Sequence, residues 1–152
     1  MKKAGFGLIC LIIITALAGV ACSESSASPT APSSSTAGAV PLASDLAGAW
    51  TLVAVQPSGA ALQVKPATAD YSAIFENGRL AARADCNVCS GLATVSSGAV
   101  VIGPVLACTR AACPTMEFES VYWSLLSGEH SAVIEGRSLT LQSDRGVVRF
   151  QR

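Results

Sequence analysis

The sequence predicts a mainly β, α+β fold: an antiparallel sheet curled into a barrel or half-barrel, with one α-helix packed on it over about residues 114–127. Three observations carry this. Short alternating segments recur between residues 45 and 152, divided by closely spaced turn signals. Asn77-Gly78 is a strong hairpin signal, because a type I′ turn needs positive φ at both central residues. One stretch alone abandons the two-residue period for a helical one.

The elements follow in order. Trp50 to Val55 alternates large and small residues and reads as the first strand. Tyr71 to Glu76 and Arg79 to Asp85 flank Asn77-Gly78. Leu92 to Ser96 and Ala99 to Ile102 flank Ser97-Gly98, a second hairpin. Phe118, Val121, Tyr122, Leu125 and Leu126 then share one helical face. Pro114 suits the first turn of that helix, Glu117 and Glu119 complement its dipole, and Gly128 suits its C-terminal cap. Ser131 to Glu135 and Ser138 to Gln142 join through Gly136-Arg137, and Asp144-Arg145-Gly146 leads into Val147 to Gln151. Such closely spaced turns argue for an antiparallel meander that curls into a barrel or half-barrel.

Composition narrows the function. Charged residues are 13% of the 152, the formal net charge is zero, and His130 is the single histidine. No basic excess grips nucleic acid, and no histidine cluster holds a metal. No cofactor is expected.

The N-terminus reads as an address. Lys2 and Lys3 precede an apolar run, Phe6 to Leu17, too short for a comfortable bilayer span. The small residues Ala18 to Ala21 before Cys22 resemble the lipobox of bacterial lipoproteins. That implies a signal peptide over 1–21, which removes Cys10, and a diacylated Cys22 as the mature first residue. An ordinary cleaved signal, with Cys22 coincidental, is the alternative. Each buried acyl methylene contributes about 0.8 kcal/mol, so the lipid would hold the chain on a membrane without a spanning helix. Residues 22–44 are nearly all Ser, Ala, Pro, Thr and Gly. They read as a disordered tether reaching roughly 25 Å on average. The folded domain is then 45–152. By the same resemblance, Ser23 is compatible with sorting to an outer membrane.

Four cysteines remain: Cys86, Cys89, Cys108 and Cys113. An even number in an exported domain reads as a disulfide framework. Three pairings exist, and the nested one, Cys86–Cys113 with Cys89–Cys108, is the expectation. A zinc ribbon is a weaker reading, because the second Cys-x4-Cys knuckle is too wide. A redox pair at Cys86-Asn-Val-Cys89 lacks its βαβ setting.

Short motifs around these cysteines resemble the META domain, the family of HslJ-like heat-shock lipoproteins. They are Trp50-Thr-Leu, Asp85-Cys86-Asn87 with Gly91, Thr109-Arg110-Ala111-Ala112-Cys113, Glu119, Leu139-Thr-Leu and Val148-Arg-Phe150. Asp85 stands where the family usually has glycine, and alanines replace its methionines. The resemblance implies a barrel-like antiparallel sheet with a helix, an envelope location, a link to stress tolerance, and no catalytic residues.

The residues agree on that last point. His130 beside Glu129 reads as a solvated turn histidine rather than part of a Ser-His-Asp set. Glu117 and Glu119 read as solvated first-turn charges. Arg79 and Arg83 share one strand face and read as a solvated surface, with a small anion or partner patch as the alternative. Asn87 and Arg110 are expected to satisfy carbonyls around the bridges. The expected function is a lipid-anchored, non-enzymatic binding or structural accessory of the cell envelope. It would sit on the periplasmic face of an outer membrane or on the cell surface, with an envelope protein or lipid as partner. A small-ligand carrier or a protease inhibitor on a barrel scaffold is the alternative, and a cavity inside the barrel would favour the carrier.

Overall fold

The computed structural model describes residues 43–96 and 98–152. The expected signal peptide, Cys22 and all but the last two tether residues lie outside them. Those two, Ala43 and Ser44, belong to a helical turn, α1 (Ala43–Leu46), rather than to the tether.

Ten strands and one longer helix follow. They are β1 (Gly48–Pro57), β2 (Gln63–Val64), β3 (Tyr71–Glu76), β4 (Arg79–Ala84), β5 (Asn87–Ser96), β6 (Ala99–Ile102), β7 (Ala107–Cys108), α2 (Met116–Leu126), β8 (Gly128–Glu135), β9 (Ser138–Ser143) and β10 (Gly146–Gln151). The strand order β10-β9-β8-β6-β5-β4-β3-β1 is closed by an antiparallel β1–β10 pairing, so the sheet is a full barrel of eight strands. Closure removes the edges that an open sheet would expose. The short β2 and β7 add to β1 and β5 from outside this circuit.

Turn chemistry explains the connections. Asn77 and Gly78 have φ of 52° and 73°, as the type I′ turn between β3 and β4 requires. Asp85, at φ 55°, helps close a second tight turn that sets Ala84 opposite Asn87. This hairpin has no glycine to announce it, and β5 accordingly starts at Asn87 rather than at Leu92. At the barrel seam Gly146 has φ 145°, and a Cβ there would collide with the backbone oxygen of Gln56 on β1. Only glycine allows β10 that close.

Inward-facing residues of the eight barrel strands fill the lumen. Trp50, Tyr71, Phe75, Leu80, Ile102, Leu139, Leu141 and Phe150 are all buried, each contributing about 1.5–3 kcal/mol of burial. In β1 the pairing with β10 slips between Leu52 and Ala54. This bulge breaks the alternation, so both Ala54 and Val55 are buried, with Val55 alone joining the core. The indole of Trp50 donates to Leu46 O at 2.7 Å, and the Arg152 guanidinium lies 4.4 Å from its ring centre.

Helix α2 packs on β1 and β10 through Tyr122, Leu125 and Leu126. Tyr122 donates to Ser72 O at 3.1 Å and meets Tyr71 edge-on at 5.6 Å. The helix begins at Met116, two residues after the expected start. Thr115 precedes it at φ −106° and ψ 30°, and its hydroxyl is engaged elsewhere. At the other end Ser127 is extended and Gly128, at φ 102°, turns the chain directly into β8. Gly128 therefore opens a strand.

That shift corrects the reading of His130. It is a buried residue of β8, 1% exposed, not a solvated turn residue. One ring nitrogen, Nε2, bonds Leu126 O at 2.9 Å, and Nδ1 has no partner among the described residues. The helix ends so abruptly that what looked like a loop is the start of an inward-facing strand.

Candidate functional site

The connection from β6 to α2 crosses β5 as a strap, and the sequence builds its fastening locally. Cys86 is bonded to Cys113 and Cys89 to Cys108, the nested arrangement. The four thiols are thereby engaged with one another. Cys89 faces Cys108 across the β5–β7 pair, and Gly91 lets the strap come close. A Cβ on Gly91 would lie 2.6 Å from the Leu106 side chain.

Asn87 is the hub beneath the strap. Its Nδ2 donates to Ala111 O at 3.0 Å, to the Cys113 sulfur at 3.1 Å and to Glu119 Oε1 at 2.9 Å. Its Oδ1 accepts from Thr109 Oγ1 at 3.0 Å and from Ala111 N at 2.8 Å. Thr109 Oγ1 in turn accepts from Val88 N. A second cluster anchors the start of α2. Asp85 Oδ2 accepts from Thr115 Oγ1 at 2.8 Å, and that hydroxyl also bonds Tyr71 Oη. Burial pushes the Tyr71 phenol upward, and the nearby Asp85 and Glu119 carboxylates act in the same direction.

Asn87 thus satisfies a strap carbonyl as expected, whereas Arg110 does not. Arg110 is exposed and makes no hydrogen bond among the described residues. Glu119 also departs from its reading. It is buried, and its Oε1 accepts from the Trp123 indole at 3.0 Å as well as from Asn87. Its spacing held the signal: Glu119, Tyr122, Trp123 and Leu126 share one helical face, which made Glu119 an inward position. Glu117 remains exposed, and so do Arg79 and Arg83 on the outward face of β4.

Asn87, Thr109, Arg110, Met116, Glu119 and Trp123 border an open groove of about 530 Å³ between strap and helix. Trp50 and Gly91 do not reach it; they serve the core and the strap contact. Among the described residues no cluster of His, Cys, Asp and Glu is placed to hold a metal ion. The groove offers hydrogen-bond donors, acceptors and an indole face. His130 sits inside the barrel and is not among the residues that line the groove.

These features define a class: a small closed antiparallel barrel with a filled lumen, one helix across it, and a disulfide-fastened strap beside a polar groove. The sequence model of the META domain matches residues 43–152, and the chain belongs to that family. Two solved structures share the fold. One is an NMR structure of a protein from Burkholderia xenovorans, with TM-score 0.60 and 21% identity, covering 72% of this chain and 85% of that one. The other is a further NMR structure, with TM-score 0.56 and 18% identity, covering 73% of this chain and 94% of that one. A comparison with curated proteins returns no significant match.

Proposed function

We propose that this META-domain chain is a non-enzymatic binding or structural accessory of the cell envelope. Lipid on Cys22 holds it to a membrane, a tether carries the domain clear of the head groups, and the barrel presents its strap and groove to an envelope protein or lipid. A role in envelope stress tolerance is part of this reading, and two bridges and a closed sheet suit a domain that works outside the cytosol.

The observation that carries the reading is the filled lumen. The positions a carrier would leave open hold Trp50, Tyr71, Tyr122 and Phe150, each at most 2% exposed. Support therefore goes to a surface-binding scaffold over a barrel that encloses its ligand. The single histidine, His130, is enclosed in the barrel, which fits a non-enzymatic reading.

Two measurements test the proposal. Metabolic labelling with a fatty-acid analogue should mark the wild-type chain and leave Cys22→Ser unlabelled and released from membranes. Crosslinking in intact envelopes should then recover a defined partner with the wild-type chain. An unlabelled wild type, or recovery no greater than with a tethered unrelated domain, overturns it.

A further inference from the structure

Glu119 is a buried carboxylate with half of its hydrogen-bonding capacity unused. It is 9% exposed, and Oε1 takes both of its hydrogen bonds. The donors, the Asn87 amide and the Trp123 indole, are neutral, so neither supplies counter-charge. Oε2 is buried and has no partner among the described residues. Carboxylates withdrawn from water are normally paired or fully hydrogen-bonded. Asn87 and Trp123 also fix the orientation of the group, so Oε2 cannot swing out to solvent while they hold it.

Glu119 lines the groove together with Trp123, Met116, Ala112 and Arg110, while Oε2 itself is closed to solvent. We propose that this groove binds a primary ammonium group on an unbranched alkyl chain, with Glu119 as counter-ion. The proposal rests on reading the groove as the binding surface, and it names the ligand chemistry. Oε2 presents almost no surface of its own, so its partner must be slender. An ammonium is the most compact organic cation with several donors, whereas a guanidinium is broad and planar. Because Oε2 is closed to solvent, binding requires a side chain at the groove to shift, and Met116 and Arg110 are the exposed ones there. Trp123 then offers its ring to the cation, and Ala112 and Met116 flank the alkyl chain. Arg110 opposes a simple amine through its like charge. A lysine side chain of a partner and a free alkylamine present the same group.

The chain holds two tryptophans, which supply the assay. Full-length protein in detergent micelles, labelled with nitrogen-15 at the indoles, gives a reporter at Trp123 and an internal reference at Trp50, whose indole is sealed against Leu46 O. Pentylammonium chloride should move the Trp123 signal with a Kd on the order of 1 mM, while the Trp50 signal stays put. Pentanol should move neither. Glu119→Gln should weaken the effect roughly tenfold or more, and Arg110→Ala should strengthen it. Nα-acetyl-lysinamide binding more tightly than pentylammonium identifies a protein side chain as the source, and the reverse order identifies a free amine. A Trp123 signal unmoved by pentylammonium in both wild type and Arg110→Ala overturns the proposal, and so does an equal response to pentanol. If Glu119→Gln does not fold, the amine and alcohol comparison in the wild type decides. The titration is independent of lipid labelling, so its failure leaves the anchoring reading standing.

Discussion

Replacing Asn87 with alanine removes five hydrogen-bond contacts at once. Three go to the strap, at Ala111 O, Ala111 N and Thr109 Oγ1, one to the Cys113 sulfur and one to the Glu119 carboxylate. They are unequal. Ala111 and Thr109 are exposed, so water replaces much of what they lose. The bond to buried Glu119 is charge-assisted and contributes about 1.5–3 kcal/mol, and the strap bonds together add about 1–2 kcal/mol. Asn87→Ala should therefore cost about 2.5–5 kcal/mol, a large share of the roughly 5–15 kcal/mol available to a domain. Urea unfolding with both disulfides intact reads this directly, as a lower midpoint at unchanged slope. Asn87→Asp sharpens the test. It keeps the acceptor toward Thr109 and Ala111 but turns a donor toward Glu119 into a second carboxylate. It should be the more damaging variant at pH 7, with the gap closing as pH falls, since burial and the neighbouring carboxylate push the introduced carboxyl above its ordinary value. A cost below about 1 kcal/mol for Asn87→Ala, or a milder Asp than Ala at neutral pH, would refute the hub argument.

Other predictions follow from the same structure. Burial holds the His130 pKa below its ordinary value of 6.5; Arg145 acts in the same direction, while the Leu126 carbonyl and Asp144 act against it. The unfolded chain then binds the proton more readily, so stability is full above about pH 6.5 and is lost as pH falls below it. Urea midpoints between pH 8 and pH 5 should show that loss in the wild type and a smaller one in His130→Gln. Gly146→Ala should cost roughly 2–4 kcal/mol or prevent folding, because its Cβ meets the β1 backbone, while Gly91→Ala should cost less because the Leu106 side chain can shift. Thermal melts of the pair check the contrast. Replacing Cys86 and Cys113 together by serine should cost about 3 kcal/mol for the loop of 27 residues it opens. Non-reducing peptide mapping should return Cys86 linked to Cys113 and Cys89 to Cys108; any other pairing contradicts the strap geometry.

What could be read from the residues in order was whatever depends on near neighbours. Asn77-Gly78 marks a hairpin because two positive φ angles are demanded within two residues, and the α2 stripe repeats every three or four positions. Those local periods, repeated along the chain, already implied an antiparallel curled sheet with one helix. Outcomes that depend on what lies opposite were not legible. Closure of the barrel turns on β1 meeting β10, a contact between the two ends of the domain, and on Gly146 fitting against Gln56. The fate of His130 turned on how sharply α2 ends, and that of Glu119 on Asn87, 32 residues earlier in the chain, reaching across to it. Charge alone predicted a solvated Glu119, because exposure is the cheaper state of a carboxylate unless folded neighbours supply donors. Sequence periodicity states which face of an element is apolar; only the assembled barrel decides which polar groups that burial takes along and which of them are left without a partner.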